Sequence, residues 1–161
     1  MWQPHLVGSA SNLPSHRRLP KSYAMQNPVK LTQGIDHLGL TVSDIELSRR
    51  FFVECLGWSV VGEAPAYPAV FVSDGCIRLT LWQADREGGY VAFDRRKNLG
   101  LHHFALKVSS DADLSRVFAL ASAWPGVVVE FPPQLVGNGP NRHCMLREPG
   151  GTRVEFRFTP Q

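Results

Sequence analysis

The sequence predicts an α+β protein built from two tandem βαβββ modules. Three observations carry this. HLGLTVSDIELSRRFF, starting at His37, recurs as HFALKVSSDADLSRVFA, starting at His103, with one residue inserted before Leu-Ser-Arg. Each copy switches from alternating to helical apolar spacing. Each is then followed by short apolar runs set off by turn residues.

In the first module, residues 35–42 alternate, with Leu38, Leu40 and Val42 on one face and His37, Gly39 and Thr41 on the other. Ser43 with Glu46 reads as a capping box, and Leu47, Phe51, Phe52 and Cys55 follow at helical spacing up to Gly57. Strands are expected at about 58–63, 69–73 and 76–82, the last entered through Ser73-Asp74-Gly75. In the second module, Ser110 with Asp113 caps a helix whose apolar face is Leu114, Val117, Phe118 and Ala121 and which Pro125-Gly126 ends. Strands are expected near 127–131, 134–136 and 142–147. The last leads through Glu148-Pro149-Gly150-Gly151 into 152–158. The boundaries are therefore an extension 1–32 and a domain 33–161, divided into a module 33–83, a linker 84–99 and a module 100–159. One helix covers one sheet face of each module. The other face must meet the second module or line a cavity.

The net charge of +3 is unevenly placed. Residues 1–35 hold Arg17, Arg18, Lys21 and Lys30 and no acidic residue, so the body from Asp36 onward is close to neutral. A neutral body argues against a general nucleic-acid surface. The extension reads as flexible. Its acid-poor composition also suits a targeting segment, although Pro4, Pro14, Pro20 and Pro28 interrupt any amphipathic helix, and Met25 offers an alternative start. No apolar run has the length of a membrane-spanning helix. Cys55, Cys76 and Cys144 lack metal or redox spacing and read as reduced thiols of a cytoplasmic protein.

Strand parity selects the candidate chemistry. His37 and His103 point away from the helices, at equivalent places in the two copies. In the last strand Val154, Phe156 and Phe158 point to the helix, while Arg153, Glu155 and Arg157 point to the inner face. The matching strand of the first module sends Arg78, Thr80 and Trp82 inward. Two neutral imidazoles and one carboxylate suit Zn, Ni, Mn or Fe and leave coordination positions open.

The chain resembles the vicinal oxygen chelate superfamily, the glyoxalase, bleomycin-resistance and extradiol-dioxygenase group, over residues 33–159. The matching pieces are Asp-His-Leu-Gly-Leu-Thr-Val at 36–42, Phe-Phe-Val-Glu-Cys-Leu-Gly-Trp at 51–58, His-Phe-Ala-Leu-Lys-Val at 103–108 and Glu-Pro-Gly-Gly-Thr-Arg-Val-Glu-Phe at 148–156. The resemblance implies sheets curled into a cup, helices outside, around one divalent metal held by His37, His103 and Glu155. It also implies a small oxygen-bearing, anionic substrate whose oxyanion or enolate the site stabilises, in a lyase, isomerase or transferase reaction. An extradiol-type dioxygenase is a second outcome. A metal-free, drug-binding module like the bleomycin-resistance proteins is a third. Glyoxalase I-like members carry a ligating carboxylate where this chain has Arg78, which cannot ligate. Arg78 is then a clamp for a substrate anion, a partner of Glu155, or a solvent-facing residue. Trp82 and Phe71 are candidate pocket walls or core residues, as are Tyr90 and Phe93. Arg142 is a candidate substrate contact. His143 follows the Gly137-Asn138-Gly139-Pro140 loop and is a candidate acid or base if that loop closes over the cup. His102 is expected on the helix side, and Arg95-Arg96-Lys97 in a solvated turn. Exposed sheet edges predict a homodimer. No nucleic-acid or membrane partner is expected.

Overall fold

The computed structural model describes residues 30–161. The expected extension, 1–32, lies almost wholly outside the described residues. Residues Gly34–Gln161 form one compact unit. It contains β1 (His37–Val42), α1 (Ile45–Arg50), β2 (Ser59–Ala64), β3 (Ala69–Ser73), β4 (Arg78–Gln83), β5 (Phe104–Lys107), α2 (Asp111–Ser122), β6 (Val128–Leu135), β7 (Arg142–Arg147) and β8 (Arg153–Phe158). The strands form two four-stranded sheets, ordered β1-β4-β3-β2 and β5-β8-β7-β6. In each, the first strand pairs parallel with the last and the other pairs are antiparallel. Two tandem βαβββ modules are therefore present, as the repeat predicts. Among the described residues no helix is long and apolar enough to cross a membrane.

Both helices begin on a side-chain acceptor. The Ser110 hydroxyl accepts from the Asp113 amide at 3.0 Å and donates to its carboxylate at 2.6 Å, at the expected capping positions. In the first module the cap is Asp44, not Ser43. Its carboxylate accepts from the amides of Glu46 and Leu47, both at 3.0 Å, satisfying two free donors at once. After six α-helical residues the chain widens into a π-helical turn, Phe51–Cys55. Phe51 and Phe52, adjacent in sequence, are both fully buried there. Gly57, at φ +75°, then ends the helix in the left-handed conformation glycine tolerates.

One expectation is corrected in the second sheet. The runs at 127–131 and 134–136 are a single strand, β6, with register shifts between Val129 and Phe131 and between Phe131 and Gln134. Pro132 and Pro133 cannot donate to a ladder. They sit in the irregular part of an edge strand, where a bulge accommodates them.

The helix-facing residues of both sheets form one apolar cluster. Leu40, Val42, Leu79 and Leu81 belong to it with Phe104, Leu146, Val154 and Phe156, as do Phe51, Phe52 and Leu114. Burying each such side chain contributes about 1.5–3 kcal/mol. A polar joint also ties the modules. The Ser43 amide donates to the Gly150 carbonyl at 2.9 Å, and the Ser48 hydroxyl donates to Glu148 Oε2 at 2.8 Å. Glu148 is 1% exposed and also accepts from the Gly150 amide at 2.7 Å and the Thr152 amide at 2.9 Å. Burial pushes its carboxyl above the usual range, and these donors offset part of that cost.

Candidate functional site

The register of the second sheet sets the inner face. Ala105 pairs with Glu155, and the His103 ring, just before β5, reaches the Glu155 face. Met145 pairs with Glu155 and His143 with Arg157, which brings His143 to the same face from β7. Glu155 is 5% exposed. Its Oε2 lies 3.0 Å from His103 Nε2 and its Oε1 2.7 Å from His143 Nδ1, with Arg157 Nη1 3.8 Å from Oε1. A carboxylate can only accept, so each facing ring nitrogen carries the proton when the pair is formed. The His143 ring also packs on Phe131, with centroids 4.8 Å apart.

His102 departs from its expected place. The strand begins at Phe104, so alternation does not reach back to residue 102. Its ring is exposed and turned to its neighbour, with Nδ1 of His102 2.8 Å from Nδ1 of His103. Arg153 Nη1 donates to the His102 carbonyl at 2.9 Å and lies 3.1 Å from the His102 Nδ1. Partial desolvation, and then the Arg153 charge, hold the His102 pKa below its ordinary value, favouring the neutral ring.

His37 lies on β1 of the first sheet, opposite Arg78 on β4. Its Nδ1 is 2.7 Å from Asp36 Oδ1, and Arg78 Nη2 donates to the same oxygen at 2.8 Å. The hydrogen bond from His37, then the Arg78 charge, hold the Asp36 carboxyl below the usual range. Asp36 therefore accepts from Nδ1, and among the described residues the His37 Nε2 meets no partner. This is how an outer carboxylate orients a metal-binding imidazole. Arg78 pairs with Asp36 rather than with Glu155. Phe71 pairs with Thr80, and Thr41 with Trp82, which sets Phe71 and Trp82 on the His37 face. The Tyr67 ring covers Trp82, with centroids 4.9 Å apart.

Arg142 lies away from this face. It alternates with His143, and its parity is that of the buried, helix-side Cys144 and Leu146. Its Nη1 donates to both carboxylate oxygens of Asp111 at 2.6 Å, at the start of α2. In this structure Arg142, the expected substrate contact, is engaged with α2.

The donor chemistry of His103, Glu155 and His37 fits a divalent metal: imidazole nitrogens, one carboxylate, and a carboxylate-held tautomer at His37. The structure brings His103 and Glu155 together and adds His143. No hydrogen bond or ion pair joins His37 to them. Among the described residues, no three His, Cys, Asp or Glu side chains are grouped to hold a metal ion.

A feature with no sequence signal lies on the same face. Glu130 of β6 accepts from Arg153 Nε at 2.8 Å and from Arg153 Nη2 at 2.7 Å. Arg95 Nη1 is 3.0 Å and Arg147 Nε 3.6 Å from it. The hydrogen bond from Arg153, then the three arginine charges, lower the Glu130 pKa. Its stabilisation is thus present above the unfolded value and lost as pH falls through the lower folded one. Glu130→Gln is expected to cost about 3 kcal/mol at neutral pH, because it strands the buried Arg153 charge. In urea titrations this difference from the parent protein is expected to narrow below about pH 4.5.

A family model described as the glyoxalase/bleomycin resistance protein/dioxygenase superfamily matches residues 34–156. The chain belongs to this superfamily. Solved structures agree on the fold. A glyoxylase/bleomycin resistance protein/dioxygenase domain from Frankia sp. is 23% identical, covers 81% of this chain and 94% of its own, and superposes with a TM-score of 0.68. A lactoylglutathione lyase from Agrobacterium tumefaciens is 21% identical, with 80% and 96% covered and a TM-score of 0.60. A fosfomycin resistance protein from Listeria monocytogenes is 15% identical, with 81% and 96% covered and a TM-score of 0.63. No curated protein matches the chain.

Proposed function

We propose that this superfamily member is a metal-dependent enzyme of glyoxalase-like type. In this reading His103 and Glu155 hold a divalent metal, and His37 of a second copy supplies the third ligand. The observation that carries it is Glu155, a carboxylate 5% exposed and flanked by imidazoles on both oxygens. His37 supports the third position, because its Nδ1 is engaged by Asp36 and its Nε2 meets no partner among the described residues. When bound, the metal supplies Lewis acidity towards a substrate oxygen. The remaining work belongs to side chains. His143, held by Glu155 through Nδ1, presents Nε2 for taking or giving a proton. Trp82 and Phe71 shield the His37 side from water.

A metal-free binding module is favoured by one observation: both Glu155 oxygens already meet histidine nitrogens within the chain. Metal analysis after purification separates the two readings. Shared ligation has its own test. His37→Ala and Glu155→Ala proteins are each expected to lack tight metal binding. Unfolded and refolded together in equal amounts, they should recover about a quarter of the parent sites, since half the dimers are mixed and each carries one intact site. No recovery in the mixture would place all three ligands in one chain.

A further inference from the structure

The arginine cluster around Glu130 lines a cavity of about 310 Å³ formed by the segment before β5 and by β6, β7 and β8. Arg95, Arg96, Arg147 and Arg153 face it, against only Asp94 and Glu130, so at least two positive charges are left over. A self-contained ion network would balance. Here one carboxylate serves three guanidiniums, and Asp94 is further drawn to Lys97, 3.7 Å away. Arg96 has no ion-pair partner among the described residues. The floor is built rather than incidental: the Arg153 side chain is 7% exposed, fixed by two bonds to Glu130 and one to the His102 carbonyl. Arg95 and Arg147, at 40% and 46% exposure, keep donors free to turn to a ligand.

We propose that this cavity binds the phosphoryl-type dianion of a small molecule, a phosphate monoester, a phosphonate or free phosphate. The charge selects the class. A dianion offsets two of the excess charges, whereas a carboxylate offsets one and leaves further guanidiniums uncompensated in a partly enclosed space. The geometry agrees, because a tetrahedral group offers three oxygens, enough for two planar forks to engage together. Arg153 lies two residues from Glu155 on the same face of β8, about 6.6 Å along the strand, so a phosphorylated or phosphonylated substrate could span both places. Dianion binding itself does not rest on the metal.

The test is calorimetric titration of chelator-treated and then dialysed protein at about pH 8, where phosphate and phosphonate are mostly doubly charged. Inorganic phosphate, methylphosphonate and acetate are compared at one ionic strength set with chloride. Saturable binding of phosphate is expected, with acetate about tenfold weaker or worse. Arg95→Ala combined with Arg147→Ala should weaken phosphate by about tenfold or more, with melting temperature checked as a control on folding. Arg96→Ala, at an exposed position, is a second variant that leaves the Arg153–Glu130 pair intact and should also weaken it. Equal binding of methylphosphonate points to an organic phosphoryl ligand, and phosphate alone to the free ion; either upholds the dianion class. Acetate binding as tightly as phosphate, heats matching the chloride control, or unchanged affinity in folded variants would overturn the proposal. Because no metal is present, failure here leaves the His103–Glu155 reading standing.

Discussion

Gly150→Ala is expected to destabilise the domain by about 3–5 kcal/mol, seen as a lower urea midpoint at an unchanged slope. The cause is not backbone conformation but close approach. An added methyl would run into the Ser48 hydroxyl, with Val42 Cβ at 2.8 Å and Glu148 Oε1 at 2.9 Å. None of these can step aside cheaply. Ser48 and Glu148 are hydrogen-bonded to each other in a fully buried setting, and Val42 is core. Relief would separate the Ser48–Glu148 bond and leave buried polar groups without partners. Gly151→Ala is the natural comparison. That glycine has φ +101° and open space around it, so its replacement carries only the strain of the left-handed region, about 1–2 kcal/mol. Equal losses from the two variants would mean that the modules do not meet at Gly150 as described.

Glu155→Ala is expected to lower divalent-metal affinity by about 100-fold or more, and to lower any turnover in parallel, with the fold intact by circular dichroism. The carboxylate is the one anionic member of the proposed ligand set, and two histidines lean on it. Removing it takes away both a ligand and the group that orients His143. Glu155→Gln preserves shape and hydrogen-bonding capacity but not charge, so it should keep stability and still lose metal. Metal retained stoichiometrically in Glu155→Ala would remove this residue from the ligand set.

The modules were legible because their signals are local. The alternation in residues 37–42, the repeat at 103 and the Glu148–Gly151 turn each lie within a few residues. The facing of His103 and Glu155 also followed from parity, since the side-chain period in a strand is two. What escaped depends on register between distant strands. His143 lies in the expected strand 142–147, but nothing in the sequence shows that it pairs with Arg157 and so adjoins Glu155. Arg142, its neighbour, is sent by strand alternation to the start of α2. The cluster on Glu130 was hidden for the same reason. Its arginines come from a linker, β7 and β8, and Glu130 sits between Val129 and Phe131, where β6 shifts register. The Asp36–His37 contact, by contrast, joins adjacent residues and is local.

The buried meeting of Glu148 with Ser48 has a further implication for how this chain can change over time. Two halves that began alike in pattern have stopped being interchangeable parts. The acid belongs only to the second, and only the first half's serine, Ser48, meets it; its counterpart, Ser115, donates to the Asp111 carbonyl of its own helix instead. A substitution at one side must be answered on the other, a hundred positions away along the polymer, so the halves are bound to diverge in concert rather than independently.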